Sequence, residues 1–295
     1  MNIRKFYILL SVLLPVFTMA FTAEAQNTKT NYTPDIGGVD PTRPDYALVL
    51  NAKLIAKGEI ISRGMVWRVF REAPASDGKL PLIASAQGGS ATFNLNAGTY
   101  LVHASFGRAG ASKRVIVSNG GVSEDFILQA GGLELNALAK DQIIPAKDLR
   151  FSIYELEQDE KGNRKLIALN VAANKIIQLN EGTYHVLSRY GTINATVRAD
   201  LEVKAGEVTK ALLQHRGAAV SLRLVSEIGG DPVANTAWAV FTKDGEKVFE
   251  SRTVSPSFIL SEGTYEAAVT NGDVNFKKTF TINPGKNTRV EILLK

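Results

Sequence analysis

Three histidines, His103, His185 and His215, are the side chains of this sequence best suited to proton transfer or metal binding near neutral pH. A metal centre or a Ser-His-acid relay needs such residues to converge with carboxylates or with a serine. Their placement argues against convergence, because each sits at a different point of a repeated pattern described below. Hydrogen-bonded or solvated histidines are the expectation. No Gly-x-Ser-x-Gly elbow occurs. The carboxylate pairs Glu155/Glu157 and Asp159/Glu160 could in principle serve as a glycosidase acid and base. Lys161, Arg164 and Lys165 interleave with them, which is the composition of a solvated hairpin loop. Glycine pairs at 37–38, 88–89, 120–121, 131–132 and 229–230 are dispersed and have no strand–loop–helix context for holding phosphate. The chain has no cysteine, which excludes disulfides, thiolate metal sites and a cysteine nucleophile. We therefore expect no catalytic residue, no metal ligand and no cofactor.

Aromatic side chains offer binding chemistry instead. Trp67 and Trp238 occupy one repeat position that Phe151 fills in between, and this equivalence points to the core. On the opposite strand face lie Phe70, Tyr154 and Phe241, again at one repeat position. If that face is exposed, the three rings are candidate stacking platforms for a sugar polymer.

The elements that must position these residues are set by a short string used three times. Leu95-Asn-Ala-Gly98-Thr-Tyr100, Leu179-Asn-Glu-Gly182-Thr-Tyr184 and Leu260-Ser-Glu-Gly263-Thr-Tyr265 recur, and each is followed by Gly107, Gly191 or Gly272 nine residues after its glycine. Gly98 and Gly182 are 84 residues apart, Gly182 and Gly263 81. A period of that length marks duplicated domains rather than a solenoid of small repeats. Around each string, apolar residues alternate with polar ones, as in Tyr100, Val102, Ala104 and Phe106, and turn signals punctuate the runs. About seven strands per repeat follow. Glycine permits the sharp turn between two sheets, and a tyrosine two residues on can lay its ring on the core and return its hydroxyl to upstream backbone. The fold class expected is all-β: three seven-stranded Greek-key sandwiches in tandem. The third repeat is shorter, with 24 residues from Phe241 to Tyr265 against 30 from Phe70 to Tyr100 and from Tyr154 to Tyr184. The simplest place for the missing six is the loop between hairpin and corner. Asn136 to Asp148, with Pro145, reads as a loop.

The boundaries follow from the repeats. Residues 1–25 have a basic start at Arg4 and Lys5, an apolar run and an Ala23-Glu-Ala25 site, the pattern of an export signal. Residues 26–44 carry Pro34, Gly37, Gly38, Pro41 and Pro44 and read as a flexible leader. The repeats then span 45–129, 130–216 and 217–295, joined by Gln129-Ala-Gly-Gly132 and His215-Arg-Gly217, and joins this short favour a semi-rigid rod. The net charge of +5 falls to +4 without residues 1–25. It is not clustered into the basic stripe that nucleic acid needs, so no nucleic-acid partner is expected. No segment after the signal is long and apolar enough for a membrane helix.

The run Leu179–Val186, with Gly191, Val203-Lys-Ala-Gly206-Glu207 and Leu212-Leu213, resembles the carboxypeptidase regulatory-like, or prealbumin-like, β-sandwich superfamily. The third repeat carries the equivalents. Similar units occur in bacterial surface repeat domains. The resemblance implies the sandwich fold and says little of function. Together these features lead to the expectation of a periplasmic or secreted bacterial protein. It would be non-catalytic, binding or scaffolding an envelope protein or polysaccharide. The alternatives are a carbohydrate-binding or adhesin-type surface module and an accessory subunit of an envelope enzyme.

Overall fold

The computed structural model describes residues 45–295; the expected signal at 1–25 and leader at 26–44 lie outside them. In the first repeat the strands are β1 (Asp45–Lys53), β2 (Met65–Arg71), β3 (Leu82–Gly88), β4 (Ala91–Asn96), β5 (Gly98–Phe106), β6 (Ala109–Val117) and β7 (Val122–Ile127). They form a three-stranded sheet, β4-β1-β7, and a four-stranded sheet, β3-β2-β5-β6. β1 runs antiparallel to β4 and parallel to β7. The alternation seen in the sequence supplies one apolar face per sheet, and the two faces meet over Leu48, Leu50, Trp67, Val69, Val102 and Phe126.

The second repeat uses the same plan. Its strands are β8 (Ala130–Ala139), β9 (Gln142–Ile143), β10 (Leu149–Gln158), β11 (Arg164–Val171), β12 (Ile176–Asn180), β13 (Gly182–Tyr190), β14 (Ala195–Val203) and β15 (Val208–His215). The sheets are β12-β8-β15 and β11-β10-β13-β14. The third has β16 (Gly217–Val225), β17 (Thr236–Thr242), β18 (Lys247–Ser251), β19 (Ser257–Ser261), β20 (Gly263–Asn271), β21 (Val274–Ile282) and β22 (Thr288–Leu293). These make the sheets β19-β16-β22 and β18-β17-β20-β21. Buried apolar residues fall into three clusters, one per repeat. The protein is thus an all-β chain of tandem sandwiches. Among the described residues no helix is long and apolar enough to cross a membrane.

Several expectations are corrected. The missing six residues of the third repeat come from its first hairpin, not from the following loop. Phe70 pairs with Leu82 and Tyr154 with Leu166, but Phe241 pairs with Lys247, and from each partner to the corner tyrosine the count is the same. The Gly131-Gly132 pair is not part of a linker. It lies buried inside β8, where a Cβ on Gly131 would stand 2.1 Å from the Lys204 carbonyl oxygen. Only Leu128 and Gln129 separate β7 from β8, and only Arg216 separates β15 from β16. Asn136 to Asp148 is not a plain loop either. Asn136–Ala139 ends β8, β9 folds back on it, Ile144 is buried, and a single 3-10 turn spans Ala146–Asp148.

Corner geometry repeats closely. Tyr100, Tyr184 and Tyr265 each donate their hydroxyl to the carbonyl four residues upstream, on Asn96, Asn180 and Ser261, at 2.9, 2.9 and 3.1 Å. Each corner carries the chain from the three-stranded to the four-stranded sheet. Gly182 and Gly263 take φ of 149° and 147°, a region that favours glycine. Gly98 is not among the positive-φ glycines, and a Cβ there would meet only the Tyr100 ring at ordinary distance. Conformational need therefore explains two of the three corner glycines.

Candidate ligand-binding recesses and the joints between repeats

Trp67, Phe151 and Trp238 are buried in the three cores, as their shared position implied. On the outer face of each four-stranded sheet, Phe70, Tyr154 and Phe241 are half-exposed. They hold one register position, facing Leu101, His185 and Glu266 on the neighbouring strand. Two of them border a recess. Phe241 lines one of about 410 Å3 with Thr242, Lys243, Glu266 and Lys277. Within it Lys277 Nζ and Glu266 Oε1 form an ion pair at 2.8 Å, and Lys243 adds a second cation.

Tyr154 lines a recess of about 320 Å3 with Asn163, Arg164, His185, Leu187 and Arg198. The hairpin turn of this repeat contributes Gly162, Asn163 and Arg164 to it. The β10–β11 pairing carries register shifts, so the strands bend. The turn is tied by Asp159, whose carboxylate accepts the backbone N–H groups of Lys161 and Asn163 at 2.9 and 2.8 Å. Those bonds, led by that from Asn163, hold the Asp159 carboxyl below the usual carboxylate range. Tyr154 and His185 rings lie 6.5 Å apart and tilted, and His185 Nδ1 is 2.6 Å from Asp200 Oδ1. Glu155 is engaged by Lys165 at 2.7 Å. Arg164 Nη1 is shielded from solvent and has no hydrogen-bond partner.

The histidines do not converge. His103 Nδ1 lies 2.9 Å from Ser112 Oγ on the outer face of the first repeat. His185 belongs to the recess just described. His215 is fully buried, with Nε2 2.8 Å from Ser188 Oγ and its ring edge-on to Tyr190. Burial pushes its pKa from 6.5 down to about 4, so it is neutral at pH 7. Among the described residues no three His, Asp or Glu groups are placed to hold a metal ion. The described residues assemble no catalytic set.

Sequence reasoning missed the joints. The β5–β6 turn of the first repeat lies on β12 of the second: Arg108 donates its N–H to the Gln178 carbonyl at 3.0 Å. The Asn180 side chain accepts from Gly110 N–H and donates to the Gly110 and Leu128 carbonyls. At the next joint the β13–β14 turn lies on β19. Asn194 Oδ1 accepts from Ser261 N–H at 3.0 Å and Asn194 Nδ2 donates to the Tyr265 hydroxyl at 3.0 Å. Ile193 packs on the third core and Ile259 on the second. Gly107 and Gly191 both have positive φ, and a Cβ there would lie 3.0 Å from Gln178 Cβ and 2.8 Å from Ile259 Cβ. Gly272, at the equivalent turn of the third repeat, also has positive φ, but a Cβ there would meet nothing within 4 Å. The glycine nine residues after each corner was the visible signal, though only its turn role could be read from sequence.

Comparison with known proteins gives one family model and several solved structures. Residues 219–294 match the model of the Rhizobiales growth-associated tandem repeat domain. No curated protein matches the chain. Among solved structures, the chain is similar to the Bacillus anthracis TIE protein, at 17% identity over 85% of this chain and 51% of that one, with a TM-score of 0.25. The chain thus spans about half the length of that protein. It is similar to a streptococcal ancillary pilin at 10% identity, covering 84% of this chain and 98% of that one, with a TM-score of 0.30. It is also similar to GBS52, a minor pilin of Streptococcus agalactiae, at 14% identity, covering 58% and 95%, with a TM-score of 0.27. The matched model is that of a tandem repeat domain and not of the carboxypeptidase regulatory-like family.

Proposed function

We propose that this chain is an exported, non-catalytic surface module of carbohydrate-binding or adhesin type. Its tandem sandwiches present recessed aromatic sites to a polymer at the cell envelope. The observation that carries this reading is the recurrence of half-exposed aromatics at one register position, two of them bordering recesses. Shallow recesses of mixed polar and apolar lining beside a ring suit a polymer that is held at several points, each weakly. In this reading residues 1–25 direct export to the periplasm or beyond, and Greek-key repeats occupy 45–129, 130–216 and 217–295. The second reading is a scaffold that spaces envelope proteins. The joints favour it, because close-fitting contacts between repeats hold neighbours in fixed register.

Sedimentation of the full chain with insoluble cell-envelope polysaccharide, and with a panel of soluble glycans, tests the proposal. The expected result is retention by at least one glycan, weakened several-fold by Tyr154→Ala or Phe241→Ala without loss of the fold by circular dichroism. If the chain ignores every glycan and instead crosslinks to one envelope protein in cells, the scaffold reading replaces it.

A further inference from the structure

The recess beside Tyr154 is lined by two guanidinium groups and no carboxylate, whereas the one beside Phe241 is lined by two lysines and a glutamate paired with one of them. Arg164 and Arg198 both line it, and neither is in an ion pair among the described residues. The carboxylates nearby are already engaged. Glu155 is held by Lys165, Asp159 by the N–H groups of its own turn, and Asp200 by His185. Glu157 lies in a separate recess of about 260 Å3 that Arg164 also borders. Two guanidinium groups without a carboxylate partner bring uncompensated positive charge to one recess, and an entering anion would supply the missing partner. The planar fork of arginine suits a carboxylate in particular.

We propose that the recess formed by Tyr154, Asn163, Arg164, His185, Leu187 and Arg198 binds a carboxylated sugar residue of a uronic-acid polymer. The proposal rests on the glycan-binding reading above and names its ligand class and its site. The carboxylate lies against Arg164 and Arg198, and the sugar ring lies on Tyr154 with Leu187 beside it. Backbone pairing decides between a glycan and an acidic peptide. β10 is paired on both sides, by β11 and β13, and β13 is paired by β10 and β14. β11 and β14, which carry Arg164 and Arg198, are the edges of this sheet, but the recess opens on the sheet's outer face over β10 and β13, whose backbone groups are already paired. Recognition must come from side chains, and a ring next to planar cationic donors fits a carboxylated pyranose.

The test is affinity electrophoresis of the full chain in gels containing polygalacturonate, with dextran and poly-glutamate gels in parallel. Retardation is expected in polygalacturonate and not in dextran. Arg164→Gln and Arg198→Gln should each weaken it about tenfold, while Lys277→Gln, in the recess of the third repeat, leaves it unchanged. Arg164→Lys should restore only part of the loss. Equal retardation in poly-glutamate would overturn the ligand class in favour of acidic peptide. Polygalacturonate binding that survives both arginine substitutions would overturn the site. Retardation in dextran alone would overturn the charge requirement while leaving the glycan-binding reading intact.

Discussion

At the scale of single residues, the corner tyrosines and His215 carry the clearest consequences. Tyr100 and Tyr265 are buried and Tyr184 partly so; full burial of such a ring contributes about 1.5–3 kcal/mol, and its hydroxyl bond about 1 kcal/mol net. Burial also raises the pKa of Tyr100 and Tyr184 above the ordinary phenol value. Tyr184→Phe should therefore cost about 1 kcal/mol in urea melts and Tyr184→Ala several times more. Tyr265→Phe should cost more than Tyr184→Phe, because its hydroxyl also takes the Asn194 amide and meets Ser261 Oγ at 2.9 Å. His215 gives a pH dependence. Its folded pKa lies below its unfolded value, so the unfolded chain binds the extra proton. Stability from this group is full above pH 6.5 and falls as pH drops toward 4. At about 1.4 kcal/mol per pKa unit, acidification from pH 7 to pH 4 should cost roughly 3 kcal/mol. His215→Gln should flatten the slope in that window. Asp125, Asp159 and Glu250, whose pKa values are also lowered, act at lower pH.

At the scale of elements, hairpin length separates the repeats. The twelve-residue steps from Phe70 to Leu82 and from Tyr154 to Leu166 make long hairpins, the second of which lines the cationic recess with Asn163 and Arg164, whereas the six-residue step from Phe241 to Lys247 leaves a tight turn. Turn glycines separate them too. Gly272→Ala should cost about 1 kcal/mol from positive φ alone. Gly191→Ala should cost about 1–3 kcal/mol more, because its Cβ collides with Ile259. Thermal melts of the two variants check this. Most of this layer was legible in the sequence. Alternation placed the strands, and the thrice-used string placed the corners. Its limits have physical causes. The hairpin deletion was misplaced because turn residues such as Asp77-Gly78 and Asp244-Gly245 look alike whatever the length of the arms. Gly131-Gly132 looked like a linker because composition cannot distinguish a flexible glycine from one crowded by a neighbouring carbonyl. Arg164 looked solvated because composition does not show which neighbours cover its Nη1 in the folded hairpin.

At the scale of the whole described chain, the repeats meet through matched surfaces, not through loose tethers. The segments between strands are one or two residues long, and side chains of adjacent repeats enter each other's cores. Both amides that fasten the joints, Asn180 and Asn194, come from the middle repeat. Its neighbours offer backbone groups and a phenol in return. The three copies, alike in plan, are therefore not interchangeable bricks. The central copy is gripped at both ends, by Gly110 against Asn180 on one side and by Ser261 and Tyr265 against Asn194 on the other, so a change in its sandwich is felt at two seams at once.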